Sequence, residues 1–101
     1  MAKPYYADYV NHILRFYFRY NASKGFKNEV DKCNYLAADK VIKRQDEADI
    51  IILSEVFENC ENINLYDNIT SVANKLHLEA KSIWSLVSNI TVKIAKERGL
   101  L

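Results

Sequence analysis

An all-α fold of about five helices is what this sequence predicts, and three observations predict it. Two glycines and one proline in 101 residues are too few breakers for an all-β chain built on tight turns. Half of the residues are hydrophobic, enough to bury a core without metals or a disulfide framework. Those hydrophobes recur in steps of three and four over long stretches, the period of a helix with one buried face. A chain of 101 residues is expected to be a single all-α domain, 1–101. Within it an N-terminal aromatic helical pair spans 1–45 and a helix-turn-helix half spans 46–101.

The first helix is expected over 5–20, YYADYVNHILRFYFRY, with Pro4 in its first turn, where a missing N–H costs nothing. Tyr6, Tyr9, Val10, Ile13, Phe16, Tyr17 and Tyr20 share a face, which Leu14 and Phe18 widen. So broad a stripe needs cover on two sides, or a partner chain. Arg15 and Arg19 alternate with these aromatics. They read as stems snorkelling to solvent beside core rings rather than as a platform for single-stranded bases. His12 reads as a surface residue.

Residues 21–25, NASKG, are the clearest break in the chain. A second helix is expected over 27–43, with Val30, Cys33, Ala37 and Val41 on its buried side and Tyr35 and Leu36 adding to it. Glu29 and Asp31 lie early and Lys40, Lys43 and Arg44 late, the charge order that suits a helix dipole. The same KVIKR run is the densest positive patch and so a secondary place for phosphate contact. Cys33 and Cys60 form no C-x-x-C pair and read as buried free thiols in a reducing compartment.

A third helix is expected to begin over 45–49, where Asp46, Glu47 and Asp49 meet the positive end of the dipole. These carboxylates have no histidine partner, so they read as a helix start and not as acid–base or metal chemistry. Ile50, Ile51, Ile52, Leu53, Val56 and Phe57 then make this helix central to the core. The Asn-rich stretch 58–65 reads as a loop.

In the last third, Asp67 or Asn68 is a candidate N-cap. Ile69, Val72, Ala73 and Leu76 follow on one helical face, with Ala73 small where two helices cross. Leu76-His77-Leu78 reads as a tight turn, with His77 at positive φ between two buried leucines. A longer helix runs from about Glu79. It buries Ile83, Val87, Ile90 and Ile94 and leaves Glu79, Lys81, Ser82, Ser85, Ser88 and Asn89 mostly off that face. Lys93, Lys96 and Arg98 suit its C-terminal end, Gly99 its left-handed cap, and Leu100 and Leu101 a hydrophobic seal. The aromatic stripe of the first helix is expected to meet Trp84, Leu86 and Ile90.

A short helix, a turn and a longer helix form a helix-turn-helix pattern. In DNA-binding versions the start of the second helix reaches base edges in the major groove. Lys81 is then suited to guanine, Asn89 to adenine, and Ser82 and Ser85 to bases or phosphate, with Lys75, Lys93 and Lys96 near phosphates. The spacing I69xxV72A73xxL76xL78xxxxI83xxxV87, followed by V92KIAKERG99, resembles region four of sigma factors. More closely, it resembles the small ArpU-type phage transcriptional regulators. The resemblance spans about the C-terminal half. It implies a sigma-like helix-turn-helix, double-stranded DNA as partner, and contact with RNA polymerase or a second copy. It also implies that Glu79, Ala80, Lys81, Ser82 and Ser85 face DNA.

A net charge of +1 means that any DNA-binding surface must gather its positive charge locally. The second helix is poor in Arg and Lys in its first turns, and Trp84 stands where a polar residue is common in that family. Both features fit the alternative, a protein-interaction or structural helical module working through its apolar faces. No nucleophile–base pair, metal-ligand spacing or cofactor motif is present, so the expected function is non-enzymatic with no cofactor. Without a leader-like start or a bilayer-length apolar run, the expected location is cytoplasmic, with no membrane partner.

Overall fold

A computed structural model describes residues 4–20, 22–58 and 64–101. Five α-helices and no strand occur among the described residues: α1 Ala7–Arg19, α2 Glu29–Ile42, α3 Glu47–Phe57, α4 Leu65–Leu76 and α5 Ala80–Glu97. A 3₁₀ turn, Ala22–Lys24, and Gly25 at φ +75° carry the break between α1 and α2. The left-handed backbone at Gly25 suits a residue without a Cβ. Asn28 then caps α2, its side chain accepting from the Asp31 N–H at 2.9 Å.

One core cluster draws on every helix: Val10, Ile13 and Leu14 of α1, Val41 and Ile42 of α2, Leu53, Val56 and Phe57 of α3, Ile69 and Val72 of α4, and Ile83, Ile90 and Ile94 of α5. The longest helix, α5, packs on each of the other four, and α1 packs on α2, α3 and α5. The wide stripe of α1 thus finds the cover on more than one side that its composition requires.

Several expectations are corrected in detail. The buried face of α2 is Asn34, Ala37, Ala38, Val41 and Ile42, while Val30, Cys33 and Leu36 are exposed. An apolar-only reading misplaced this face because a polar residue, Asn34, lies at its centre. Its Nδ2 donates to the Tyr9 hydroxyl at 3.1 Å, and its Oδ1 accepts from Arg98 Nε at 2.6 Å. A buried amide satisfied in this way is tolerated and locks register between α1, α2 and α5. Cys33 is an exposed free thiol rather than a buried one. Cys60, and with it any pairing between the two, lies outside the described residues.

The run of isoleucines in α3 is only partly interior. Leu53, Val56 and Phe57 are buried, Ile50 and Ile52 half-buried, and Ile51 exposed. A helix offers its core about half of its circumference, so four consecutive hydrophobes cannot all be interior. Rings of the aromatic stripe also meet residues outside α5, while Tyr6 lines a groove together with Trp84. Phe16, Tyr17 and Tyr20 lie against Tyr35, Tyr20 stacks on Phe26, and Phe18 stacks on Phe57. The ring beside Trp84 is Tyr66, at 6.4 Å between centroids.

Helix α4 begins before the expected cap. Asn64 is its N-cap, accepting from the Tyr66 N–H at 2.8 Å. Asn68 is buried within the helix instead, and its Nδ2 donates to the Val56 carbonyl at 3.2 Å. Arg19 Nε donates to the neighbouring Phe57 carbonyl at 3.2 Å. The last carbonyls of a helix have no partner of their own. Here side chains from α4 and α1 supply partners for two of those at the end of α3, where no glycine cap exists.

Candidate nucleic-acid interface

The chain between α4 and α5 turns on His77, which stands in the left-handed region at φ 57°, ψ 42°. It is the one non-glycine residue at positive φ among the described residues. The Leu78 N–H reaches back to the Ala73 carbonyl at 2.9 Å, closing the end of α4 as a Schellman-type cap. Leu76 is half-buried and Leu78 exposed, so the two leucines are not the buried pair the sequence suggested. The end of α5 repeats the motif. Gly99 is at φ +73°, Gly99 N–H bonds to Lys96 O at 3.2 Å and Leu100 N–H to Ala95 O at 2.8 Å. Leu100 packs on the core while Leu101 is exposed, so only one of the pair seals the end. The Tyr5 hydroxyl donates to the Leu100 carbonyl and ties this end to the start of the chain.

Ile83, Val87, Ile90 and Ile94 are buried, and Thr91 and Ala95 beside them. Lys81, Ser82, Ser85, Ser88, Asn89, Lys93 and Lys96 are all exposed. The described residues of the N-terminal half leave them open to solvent. From Ala80 to Lys96 the helix carries no carboxylate. Its first turn has no acidic residue, and the side chain of its N-cap, Glu79, makes no capping hydrogen bond. The positive end of the α5 dipole thus faces solvent next to Lys81.

Lys75 differs from the other sequence-predicted contacts. It sits near the end of α4 and ion-pairs with Glu55 at 2.8 Å, so its charge is already met within the fold. Lys93 and Lys96 lie on the far half of α5 and line a cleft of about 320 Å³ with Val41, Arg44, Gln45 and Glu97. Arg44 joins them only in three dimensions. From the sequence it was one member of a basic helix end, and the density of charge over 40–44 was the sole hint of more.

The opposite flank of α5 borders a second groove, of about 610 Å³, between α1 and the start of α4. Tyr6, Tyr66, Trp84 and Val87 give it apolar wall, and His12, Arg15 and Ser88 a polar rim. Tyr66 is 62% exposed.

A polar chain crosses from α1 to the end of α2. The Tyr17 hydroxyl donates to Asp39 Oδ1 at 2.8 Å, and Lys43 Nζ pairs with Asp39 Oδ2 at 2.9 Å. Burial pushes the Tyr17 phenol well above its usual value, and the Asp39 carboxylate adds to the rise. At Asp39 burial acts upward, but the hydrogen bonds from Lys43 and Tyr17 outweigh it and hold the carboxyl below the ordinary 3.8. These groups have partners within the fold and serve as a structural clasp. Among the described residues no cluster of three or more His, Cys, Asp or Glu side chains has the geometry to hold a metal ion, and no helix is long and apolar enough to cross a membrane. Compared with protein-family models, curated proteins and solved structures, the chain matches none.

Proposed function

We propose that this is a small, non-enzymatic DNA-binding protein associated with transcription, of the sigma-like helix-turn-helix kind found in phages and mobile elements. The observation that carries the reading is the bare side of α5, free of acidic residues from Ala80 to Lys96, which presents Lys81, Ser82, Ser85 and Asn89 to solvent just beyond the exposed N-cap Glu79. Hydroxyl, amide and ammonium groups are the side chains that read base edges in a major groove. Lys93 and Lys96, further along the same helix, are placed for the sugar–phosphate backbone. RNA polymerase or a second copy of the chain is the accompanying protein partner that this reading implies.

Anisotropy of a labelled mixed-sequence duplex, followed through a salt series, tests the proposal. Binding at micromolar protein in 50 mM salt is expected, weakening steadily as salt rises. Lys81→Gln is expected to weaken it further. No binding in low salt at tens of micromolar protein would remove the reading.

A second reading has its own support. Tyr66 is exposed beside the Trp84 ring at the mouth of the larger groove, an arrangement typical of protein-contact surfaces. If that reading holds, sedimentation is expected to show self-association that Tyr66→Ser abolishes, with no effect of salt on duplex.

A further inference from the structure

The cleft between the end of α2 and the C-terminal half of α5 is floored by the core residue Val41 and opens to solvent beside charged side chains. Arg44 approaches it from just beyond α2, and Lys93 and Lys96 from α5. None of the three forms an ion pair among the described residues. The one carboxylate in the lining, Glu97, lies 3.3 Å from the Lys40 ammonium. The Gln45 amide is turned to the Val41 carbonyl at 3.0 Å, closing the end of α2. Three exposed cations therefore converge on a cleft whose one lining carboxylate, Glu97, is paired with Lys40.

Helix dipoles account for part of this. Lys96 is in the last turn of α5 and Arg44 just follows α2, and cations are favoured at both places. Lys93 lies before the last turn, where that effect has faded. No dipole requires the two helix ends to aim their cations into one cleft. A guanidinium with its fork of donors, flanked by two ammonium groups, matches a phosphate oxyanion in shape and charge.

We infer that this cleft binds a phosphate group, and that in the working protein the group is a backbone phosphate of duplex DNA held by Arg44, Lys93 and Lys96. The DNA part rests on the function proposed above; the phosphate chemistry does not. Position along α5 supports the assignment. Fourteen residues separate Ser82 from Lys96, about 21 Å at 1.5 Å per residue. When the start of a helix enters a major groove about 12 Å wide, its far end lies over the flanking strand. The cleft cations sit at that far end, and Arg44 extends them onto a second element. Duplex would then be gripped by α2 as well as by the helix-turn-helix.

Two arms test this on the full chain, each with the Arg44→Gln/Lys93→Gln/Lys96→Gln variant and with Lys32→Gln as an exposed-lysine control. In the first, inorganic phosphate is titrated and amide and guanidinium NMR shifts are followed. Saturable shifts centred on residues 44, 93 and 96 are expected, absent in the triple variant and unchanged in the control. In the second, affinity for a mixed-sequence duplex is measured against salt. The slope of log K against log salt is expected to fall by about 0.9 for each phosphate contact removed, with little change in sequence preference. If duplex binds the wild type and the triple variant with equal affinity and slope, the cleft is not on the DNA path and the inference fails, while the proposed function stands. If phosphate saturates the cleft but duplex does not bind, the function proposal and the DNA part fail and the phosphate site remains. If neither ligand perturbs residues 44, 93 and 96 beyond the control lysine, the inference is overturned altogether.

Discussion

His77 shows how much one residue decides. A left-handed backbone costs an ordinary L-residue about 1–2 kcal/mol, and His, Asn and Asp are among those that tolerate it best. The cap it forms, through Leu78 N–H and the Ala73 carbonyl, ends α4 and sets the direction of α5. His77→Val, with a branched Cβ at φ 57°, is expected to lower stability by about 1–2 kcal/mol. His77→Gly should stay within about 1 kcal/mol of wild type, because relief of strain offsets the added freedom of the unfolded chain. Urea unfolding midpoints measure both. A valine variant as stable as the parent would show that this turn is not held in the left-handed region. The histidine could be assigned to the turn from its neighbours alone, because the apolar pattern stops at Leu76 and resumes in a new phase at Ile83. Asn34 could not, since nothing in its local sequence distinguishes a buried amide from a solvated one.

At the scale of elements, α3 depends on its neighbours for its C-terminal end. Asn68 and Arg19 donate to the carbonyls of Val56 and Phe57. Asn68 is fully interior, so Asn68→Ala would strip a buried carbonyl of its donor and leave a void. A loss of about 1–3 kcal/mol is expected. Arg19 is exposed and water can replace it, so Arg19→Ala should cost less. Denaturant titration of the two variants gives the comparison, and a neutral Asn68→Ala would contradict the capping role. Element positions in α1, α2 and α5 followed from periodicity to within a few residues. The start of α4 did not, because Asn64, Asp67 and Asn68 all have short capping side chains and only tertiary contacts select among them. The facing of α2 was legible only in part: Ala37 and Val41 are buried as expected, whereas Val30, Cys33 and Leu36 mimic a buried stripe that the packing leaves outside.

The molecule as a whole is held by α5, which packs on α1 and α2 as well as on α3 and α4. Ile90, Ile94 and Ala95 have no exposed surface. A fragment comprising 46–101 would lose the cover of α1 and α2 and expose a strip of the α5 core. It is expected to lack a cooperative thermal transition by far-UV circular dichroism, and the full chain is expected to melt in a single step. A sharp transition in the fragment would show that the two halves are separately stable. The surface has the same logic. Clusters of charge that fall far apart in the chain, 40–44 and 93–96, converge across the α2–α5 contact, and a net charge near zero conceals them.

The sequence by itself determined the helical class, the number of helices, the turn at His77 and the exposure of Lys81, Ser82, Ser85 and Asn89. Those properties follow from local backbone preference and from the 3.6-residue period, both of which are written along the chain. Only the tertiary structure decided which face of α2 is buried, what caps α3, where the aromatic stripe packs, and that Arg44 stands with Lys93 and Lys96. Each of those depends on groups distant in the chain meeting in space, and such meetings are set by packing across helices rather than by any local pattern.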